Sequence, residues 1–585
     1  MIRIQRRCFN WRDSMREGAF SQAFDGEKRP THIIVGAGSA GCVLANRLTE
    51  NPSNHILLVE AGPKDHKWDF RLHMPAALMY NLCSDTYNWF YHTTAQKNLN
   101  NRTFYWPRGR VWGGSSSLNA MCYVRGHRMD YDRWEKEEGA DGWNYESCLE
   151  YFKKAENYDR SLGEDDQFRG NRGPMNVKRG DGEHPLHRAW LEAGKHHRIG
   201  TTSDQNGKDQ EGIGYMDMTI HNGERVSASK AYIHPILGKR ENLITSSGIT
   251  CTRVLFDGNR AIGIEFIRKL NFVGTENIDS YSREKIYIQG DGDVILSGGA
   301  INTPQILMLS GLGPAEHLRS HGIPIVADLP GVGQNLQDHL EIYVQQECRK
   351  PITLYNQSSW KFPHNMVKIG LEWFLARKGL GASSHLETGG FVRSSDDVAH
   401  PDIQFHFLPS TVHEDGRVNG SCHGYQVHVG PMRSKSTGYI MLQSKDPRRA
   451  PIINPKYLDK DEDWKEFRKC IRISRELFAT QPFDEFRGKE LAPGSDCQSD
   501  ADIDRFVREK AASAYHPSCT AKMGPATDKM SVVNPKTLDV YGTENLKIVD
   551  ASIMPSIVSG NLNAPVIMMA EKAADLIKNE QQKRV

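Results

Sequence analysis

The sequence predicts a two-domain protein, with an α/β domain that opens on a βαβ unit and an α+β domain built on an antiparallel sheet. Three observations predict this architecture. The chain has 585 residues, which is too long for one ordinary hydrophobic core. Residues 31–60 place a glycine-rich turn and a helical segment between two apolar runs. Residues 346–510 change to the period-two alternation that is typical of antiparallel strands, with helical segments between them.

The βαβ unit, THIIVGAGSAGCVLANRLTENPSNHILLVE at residues 31–60, is the strongest local signal. A β-branched run enters Gly36, Gly38 and Gly41, and a second apolar run ends at Glu60. In a Rossmann-like unit the first glycine permits a tight turn, the second lets the backbone approach a pyrophosphate, and the third lets the helix pack on the strand. The helix N-terminus can bind phosphate, and the acidic residue can bind ribose hydroxyls. The pattern predicts a dinucleotide site but does not decide between FAD and NAD.

Further elements of this domain extend over the first 300 residues. Residues 242–245 and 253–256 are predicted as a pair of strands. Residues 298–313 begin with a turn of small residues and predict a helix from about Thr303, with Pro304 at the first helical position. The strands and glycine turns of one domain are therefore spread widely along the chain.

A second glycine pair lies in PRGRVWGGSSSLNAMCYVRG, residues 107–126. Gly113 and Gly114 are followed by three serines, which predicts a turn into a helix with several capping hydroxyls. This terminus is either a second anion-binding site or simply a well-capped helix, and the residues alone leave both interpretations open.

The segment after residue 510 contains a second cluster of polar residues. His516 precedes Pro517, which disfavours a helix and presents the imidazole from an extended loop. Asp550 follows an apolar strand, and Asn561 precedes an apolar helix that begins near Pro565. A lone histidine is usually structural, but this one lies among small residues without an apolar stripe, so a catalytic base is the alternative.

Composition excludes several classes of protein. The chain has 74 basic and 72 acidic residues, so no nucleic-acid partner is predicted. Its eleven cysteines form no CxxC pair, which predicts reduced thiols and no metal site. No run of 18 apolar residues occurs, so no membrane span is predicted.

The first 30 residues differ from the rest of the chain. Four arginines, Arg3, Arg6, Arg7 and Arg12, precede the first acidic residue. Apolar residues at helical spacing lie among them, which is typical of a mitochondrial transit peptide. The segment is poor in serine, and a disordered basic tail is the alternative.

Four blocks in this order resemble the glucose–methanol–choline (GMC) oxidoreductases: GAGSAG with Glu60, residues 109–119, residues 299–313, and HPSCTAKMG followed by GNLNAPV. The resemblance extends from Thr31 to Lys578 and implies FAD rather than NAD. It also implies that the C-terminal segment returns to complete the FAD domain. The expected organisation is a leader at 1–30, an FAD-binding region at 31–345, a mainly substrate-binding domain at 346–510, and a completing segment at 511–580.

The resemblance assigns roles to individual residues. His516 matches the active-site base and Asn561 the second active-site position. Glu341 matches a carboxylate directed toward trimethylammonium, and His406 matches another active-site histidine of the choline-oxidising members. Tyr515 is expected to offer an aromatic face to the same cation. Cofactor contacts are implied for Gly36, Gly38, Ser39, Gly41, Glu60, Gly113, Gly114, Asn119, Cys251, Asp550, Ala551 and Asn563.

One departure from the family pattern concerns how FAD is held. Leu118 stands where a choline-oxidising member has a histidine that bonds covalently to the flavin. The resemblance therefore implies non-covalent FAD.

Within the family, LPGVGQNLQDHLE (329–341) and SGNLNAPVIMMAEKAADLI (559–577) are most similar to the choline-oxidising members. The implied activity is oxidation of choline to betaine aldehyde. The implied acceptor is a respiratory-chain carrier such as a quinone, and the implied location is peripheral, on the matrix side of the mitochondrial inner membrane. The alternatives are a GMC dehydrogenase for another primary alcohol, sugar or long-chain alcohol, an NAD-dependent dehydrogenase, and a flavin-binding protein without turnover.

Overall fold

A computed structural model of the chain describes residues 29–159, 167–268, 283–357, 363–413 and 418–584. The leader predicted for residues 1–30 lies, up to residue 28, outside the described residues. The strands that frame the site are β1 (His32–Val35), β2 (Ile56–Glu60), β3 (Gly212–Tyr215), β4 (Leu243–Ser247), β5 (Ile249–Asp257), β6 (Arg260–Arg268), β7 (Arg283–Tyr287), β8 (Asp293–Leu296), β9 (Leu340–Cys348), β10 (Thr388–Val392), β11 (Ile403–Leu408), β12 (Gly424–Pro431), β13 (Arg487–Ala492), β14 (Ala512–Ser513) and β15 (Leu546–Ile548). The helices used below are α1 (Ser39–Leu48), α2 (Pro185–His196), α3 (Gly299–Leu309), α4 (Asn365–Ala376), α5 (Asp461–Phe478) and α6 (Asn563–Arg584). Within these described ranges, no helix has the length and apolarity needed to cross a membrane.

The first domain is built on a five-stranded parallel sheet with the order β4-β2-β1-β8-β15. Its central strands are buried on both faces, which explains why they are continuous apolar runs rather than alternating ones. Strand β15 comes from the C-terminal segment but pairs with β8. The α/β domain is therefore confirmed, and so is its interleaving with the rest of the chain.

The glycine turn between β1 and α1 leaves no room for side chains. A Cβ atom on Gly41 would lie 1.9 Å from the carbonyl oxygen of Gly36, and one on Gly36 would lie 2.5 Å from that of Ser297. Gly36 also has a φ of +105°, which L side chains rarely adopt. Helix α1 can therefore pack directly on the turn, as the sequence pattern predicts.

The second domain is built on an antiparallel sheet with the order β13-β9-β12-β11-β10-β3, and β14 also pairs with β9. Alternation divides its residues between two faces. Phe405 and Phe407 pack in a core with α2 and α5, whereas His406 between them faces a cavity. This confirms the predicted α+β domain.

The predicted domain limits are not tested by the fold alone and stay predictions. Strand β9 continues across the limit at 345/346, and β3 comes from the region before it. The antiparallel sheet therefore draws strands from both sides of that limit.

The predicted strand pair at 242–245 and 253–256 is wrong in its pairing, although both strands exist. β4 joins the parallel sheet beside β2, while β5 pairs with β6. The chain turns between them at Gly248, which has a φ of +72°. The two strands therefore belong to different sheets.

Two predicted helices also differ in the structure. Gly114–Ser117 is a single 3₁₀ turn rather than the N-terminus of an α-helix, because Ser116 and Ser117 donate hydrogen bonds back to preceding carbonyls. Helix α3 begins before Thr303, so Pro304 lies inside it. Proline cannot donate to the carbonyl of the residue four before it, and Thr520 donates to that carbonyl of Ala300 at 2.7 Å instead.

Candidate active site

A cavity of about 730 Å³ is lined by residues of both domains. This volume lies in the range typical of ligand sites. The predicted site residues that line it are Gly36, Gly38, Ser39, Glu60, Gly114, Asn119, Cys251, Glu341, His406, Tyr515, His516, Asp550, Ala551, Asn561 and Asn563. Gly41 and Gly113 do not line the cavity but shape the turns beside it.

One end of the cavity is formed largely by backbone. The N-termini of α1, α3 and α6 all reach it, at Ser39, Gly299 and Asn563. Ser39 Oγ donates to Asn563 Oδ1 at 2.8 Å, which joins the first and last of these helices. Helix N-termini carry free N–H groups and a partial positive charge, so this end suits a pyrophosphate.

The second glycine pair packs against the first glycine turn. Gly113 N donates to the carbonyl of Ala37 at 2.8 Å, and a Cβ atom on Gly114 would lie 2.7 Å from Gly38 Cα. Leu118, at the end of this loop, lines the cavity with a hydrocarbon side chain that offers no heteroatom for a covalent link. The loop therefore forms part of the cavity wall and does not begin a well-capped α-helix, and anion binding at this turn stays a prediction.

Two buried carboxylates stand at this end. Glu60 accepts from the N–H groups of Ala37 at 3.0 Å and Gly62 at 2.8 Å; burial raises the pKa of Glu60 to about 7, against the lowering effect of those bonds. Asp550 accepts from Gly299 N at 2.8 Å and from Thr303 Oγ1 at 2.6 Å. Asp550 therefore ties the C-terminal segment to the N-terminus of α3 as well as lining the cavity.

The remaining predicted cofactor residues lie on the cavity wall. Asn119 Oδ1 accepts from Met121 N and from Arg225, so its side chain is held in one orientation. Burial raises the pKa of the Cys251 thiol to about 12, so this group stays protonated. Together, the glycine turns, the three helix N-termini and the buried Glu60 carboxylate fit a dinucleotide such as FAD.

The other end of the cavity contains His516, in the loop that follows β14. Its main-chain N–H donates to Asp338 Oδ1 at 2.6 Å, and Ser513 donates to the other oxygen of the same carboxylate at 2.6 Å. The preceding residue, Tyr515, has a φ of +64°, which is uncommon outside glycine. Because β14 pairs with β9, this loop brings His516 to the strand that carries Glu341.

A pair of imidazoles determines which nitrogen of His516 carries the proton. His339 Nε2 lies 3.2 Å from the carbonyl oxygen of Met432, and a carbonyl can only accept, so His339 carries its proton on Nε2. His339 Nδ1 therefore accepts from His516 Nδ1, 3.0 Å away. His516 Nε2 is left with a lone pair, which faces Asn561 Nδ2 at 3.3 Å.

Burial keeps these imidazoles neutral. It lowers the pKa of His516 well below its ordinary value, and the neighbouring His339 and Arg108 act in the same direction. Burial also lowers the pKa of His339 and of His406 to about 4. At neutral pH His516 is therefore an unprotonated base.

The amide of Asn561 is held in one orientation. Its Oδ1 accepts from Gln404 Nε2 at 3.0 Å and lies 3.4 Å from His406 Nε2. Its Nδ2 is consequently directed at His516 Nε2. The lone pair of His516 Nε2 and the N–H donor of Asn561 Nδ2 thus lie 3.3 Å apart on the cavity wall. Such a pair suits an alcohol, because the first can take the hydroxyl proton and the second can bind the oxygen that remains.

Glu341 lies on the cavity face of the antiparallel sheet. Its Oε1 accepts from His428 Nδ1 at 3.1 Å, and Gln426 Nε2 lies 2.6 Å from the other ring nitrogen of His428. Tyr343, two residues along β9, lines the same cavity. The cavity thus holds a carboxylate and aromatic faces beside the His516–Asn561 pair.

Reasoning from the sequence missed His339, Gln404 and His428. The last two had a readable signal, because β11 and β12 each contain Gln-x-His, as IQFHFL and YQVHVG. Period-two alternation places both members of each such pair on one face of a strand. His339 lies inside the LQDHLE segment, but its partner His516 is 177 residues away.

Comparison with known proteins agrees with this architecture. Two family models, both described as GMC oxidoreductase, match residues 31–341 and residues 434–570. The chain is 55% identical over 558 residues to mitochondrial choline dehydrogenase of Mus musculus, covering 94% of this chain and 90% of that protein. It is 46% identical over 553 residues to oxygen-dependent choline dehydrogenase of Staphylococcus saprophyticus, covering 94% and 95%.

Solved structures share the fold. Pyridoxine 4-oxidase from Mesorbium loti superposes with a TM-score of 0.81 at 29% identity, covering 94% of this chain and 99% of that one. A variant of formate oxidase from Aspergillus oryzae RIB40, studied for its effect on FAD modification, superposes with a TM-score of 0.85 at 26% identity, covering 95% and 99%. The chain belongs to the GMC oxidoreductase family.

Proposed function

We propose that this protein is an FAD-dependent dehydrogenase that oxidises choline to betaine aldehyde. The observation that carries the proposal is that Glu341 shares a cavity with the His516–Asn561 pair. A quaternary ammonium alcohol requires both a negative charge for its nitrogen and a base for its hydroxyl. The relatives named choline dehydrogenase, at 46% to 56% identity over 94% of the chain, support this substrate.

FAD would be held non-covalently at the backbone-lined end. The N-termini at Ser39, Gly299 and Asn563 would bind the pyrophosphate and Glu60 the ribose hydroxyls. When bound, FAD supplies the hydride acceptor, its isoalloxazine ring. Purified protein should be yellow and should release free FAD on denaturation. Flavin that stays with the precipitated polypeptide would contradict the role given to Leu118.

His516 and Asn561 would act on the substrate hydroxyl. His516 Nε2 takes the hydroxyl proton, while Asn561 Nδ2 donates to the oxygen as negative charge develops on it. The carbon that bears this hydroxyl gives up a hydride, so conversion of the alcohol to an aldehyde removes one proton, which His516 accepts, and one hydride, which carries the two electrons and which the bound cofactor would accept. His339 would keep the lone pair of His516 on the nitrogen that faces the substrate.

Glu341 would recognise the substrate by its cation. A trimethylammonium group has no N–H to donate, so it is bound by charge and by aromatic faces, each worth about 0.5–2 kcal/mol. Glu341 supplies the charge, and Tyr515 with Tyr343 supplies aromatic surface on the cavity wall. His406 would contribute by holding Asn561 in place.

Anaerobic flavin reduction across a panel of alcohols tests the proposal. Choline should bleach the flavin faster than other primary alcohols, sugars or long-chain alcohols. Faster bleaching by one of those would assign the enzyme to another GMC activity. Colourless protein that depends on added NAD would indicate a nicotinamide enzyme, and yellow protein that no alcohol bleaches would indicate a flavin-binding protein without turnover.

We also propose a mitochondrial location, with electrons passed to a respiratory quinone at the inner membrane. The mouse and human relatives named mitochondrial support the location, whereas the staphylococcal relative is named oxygen-dependent. Reoxidation of the reduced enzyme by a quinone analogue, compared with oxygen, tests the acceptor. N-terminal sequencing of the native protein should find a start between about Met15 and Thr31; a start at Met1 in a cytosolic fraction would contradict the location.

The domain limits are proposed as the sequence gives them, with 31–345 and 511–580 forming the FAD domain and 346–510 forming most of the substrate domain. The pairing of β15 with β8 supports the return of the C-terminal segment. Limited proteolysis of the folded protein should not cut at the 345/346 limit, because β9 crosses it and holds that segment in the sheet.

A further inference from the structure

Helix α4 carries its apolar residues on the outside. Leu371, Phe374 and Leu375 are 56%, 52% and 85% exposed, and Val367 is exposed as well. These four residues recur at intervals of four, three and one, which places them on one side of a helix. In a soluble protein such a stripe normally faces the core. We call this side of α4, with the aromatic residues that adjoin it, the outer apolar face.

The opposite side of α4 is firmly attached to the protein. Trp373 is buried, and its indole N–H donates to the carbonyl of Gly223 at 2.7 Å. Arg377 lies over the Trp373 ring at 3.9 Å and pairs with Glu224 at 2.8 Å. The exposed residues are therefore held outward by a fixed helix rather than by a loose segment.

Aromatic residues from another segment extend the outer apolar face. Phe70 contacts Phe374 with ring centroids 5.7 Å apart, and it contacts exposed Tyr80 at 6.0 Å. Trp68, two residues before Phe70, is 70% exposed. Two separate parts of the chain thus contribute apolar surface to one face, which is uncommon on a monomer unless the surface has a partner.

The charges beside this face are mostly basic. Lys67, Lys368 and Lys378 are exposed, and among the described residues none of the three forms an ion pair. Glu372 is the one acidic residue of the described helix α4. An apolar face bordered by lysines is complementary to a bilayer surface with anionic phospholipids.

The face adjoins the cavity. Met79 lines the cavity, while the next residue, Tyr80, is exposed on the outer apolar face. Ala77 of the same segment packs against Trp373 of α4. A single segment therefore separates the cavity from the surface on which α4 lies.

We propose that the outer apolar face docks this protein on the surface of an anionic phospholipid bilayer, with α4 lying in the plane of the interface. Val367, Leu371, Phe374 and Leu375 enter the boundary between headgroups and acyl chains, and the bordering lysines contact lipid phosphates. The cavity wall that contains Met79 then faces the membrane, where a lipid-soluble electron acceptor resides. This inference deepens the proposed function by assigning its membrane contact to particular residues.

Vesicle flotation with the full-length holoenzyme tests the proposal. The protein should float with vesicles of phosphatidylcholine mixed with phosphatidylglycerol, and less with phosphatidylcholine alone. Leu371→Glu combined with Leu375→Glu should lower the bound fraction at least about tenfold. These side chains are already exposed, so the variant should fold. The matched control is Ile325→Glu combined with Met530→Glu, two exposed apolar residues elsewhere on the surface, and it should float like the wild type.

Three further readouts complete the test. Choline oxidation with a soluble dye should be unchanged in both variants, while turnover with a membrane-embedded quinone should fall in the α4 variant alone. Wild-type protein that does not float, or an α4 variant that floats equally well, would overturn the proposal. So would an α4 variant that loses dye-linked activity, or one that changes the oligomeric mass in sedimentation while still floating, because the face would then join copies of this chain. Protein that floats but does not oxidise choline would refute the proposed substrate and leave the docking face standing.

Discussion

The two ends of the cavity are lined by different kinds of group. The cofactor end consists mainly of backbone, with the turn at Gly36 and Gly41 and three helix N-termini. The substrate end consists of side chains, with Glu341, His516 and Asn561 brought together from distant parts of the chain. A side chain added at the cofactor end would collide with backbone atoms. A functional group removed from the substrate end would leave the shape of the cavity largely intact. Substitutions at the two ends should therefore fail in different ways.

Gly41→Ala should have the largest effect. The new Cβ would lie 1.9 Å from the carbonyl oxygen of Gly36, so α1 must move away from the turn and the protein should lose most of its flavin and several degrees of thermal stability. Gly370→Ala is the matched control, because it is also a helical glycine but has nothing within 4 Å of the new atom. It should be neutral or stabilising by about 0.5–1 kcal/mol. Equal flavin content and equal melting temperature in the two variants would contradict the prediction that the cofactor end has no room for a side chain.

His516→Ala should lower the rate of flavin reduction by choline at least about 10²-fold, through loss of the base. Flavin content and melting temperature should be close to those of the wild type, because the substrate end does not hold the cofactor in place. Stopped-flow reduction under anaerobic conditions measures the rate. A folded, flavin-loaded variant that is reduced at the wild-type rate would remove His516 from the mechanism.

Glu341→Gln should lower kcat/KM for choline much more than it lowers kcat/KM for the uncharged isostere 3,3-dimethylbutanol. The two alcohols share shape and reacting hydroxyl, so the charge of Glu341 appears in the difference between their kcat/KM ratios. A charge pair in a partly dry site should make this difference about ten- to a hundredfold, and a surface pair about fivefold or less. Equal losses for both alcohols would mean that Glu341 orders the site through His428. No loss for either would remove it from substrate binding.

The two ends should also respond to pH with opposite signs, and this is the smallest expected effect. Burial lowers the pKa of His406 from 6.5 to about 4, so its contribution to stability is present above pH 6.5 and is lost as the pH falls toward 4. Burial raises the pKa of Glu60 from 4.5 to about 7, so its contribution is present below pH 4.5 and is lost as the pH rises through 7.

Urea unfolding of the flavin-free protein between pH 4.5 and 6.5 measures both contributions. His406→Asn should remove a positive slope of the unfolding free energy, and Glu60→Gln a negative one, each up to about 1.4 kcal/mol per pH unit. Slopes that change in the same direction in both variants would contradict the assignment.

The same contrast explains how much of the site could be predicted from the sequence. The turn at Gly36 to Glu60 is local, because strand, turn, helix and acid follow each other within 30 residues, and the structure has each in its predicted place. The start of α3 was placed too late because the groups that complete it, Thr520 and Asp550, come from more than 200 residues away. Local propensity cannot report a hydrogen bond from a distant segment.

At the substrate end, the family resemblance supplied candidates that the fold brings into one cavity, but not their partners. His428 pairs with His406 across neighbouring strands. The register of β11 against β12 cannot be read from the sequence of either strand alone. The tautomer of His516 depends on Met432 through His339, a relation between three segments. Predicting it requires the sheet order as well as the motifs.

The position of β15 and α6 has a consequence for how the protein is made. Ser39 and Asn563 are hydrogen-bonded although 524 residues separate them, and the same separation divides Arg47 from its partner Glu571. During translation β1 leaves the ribosome first, yet the sheet edge at β8 has no neighbour until β15 is synthesised. About 250 residues separate the end of β8 from the start of β15, so at typical rates of synthesis this interval is roughly 10–50 s. Throughout that time the nascent chain carries an open apolar edge. The cavity is also incomplete until Asp550, Asn561 and Asn563 are synthesised, so we expect cofactor capture to follow translation, and we expect a chain that stops before residue 546 to be a substrate for chaperones rather than an enzyme.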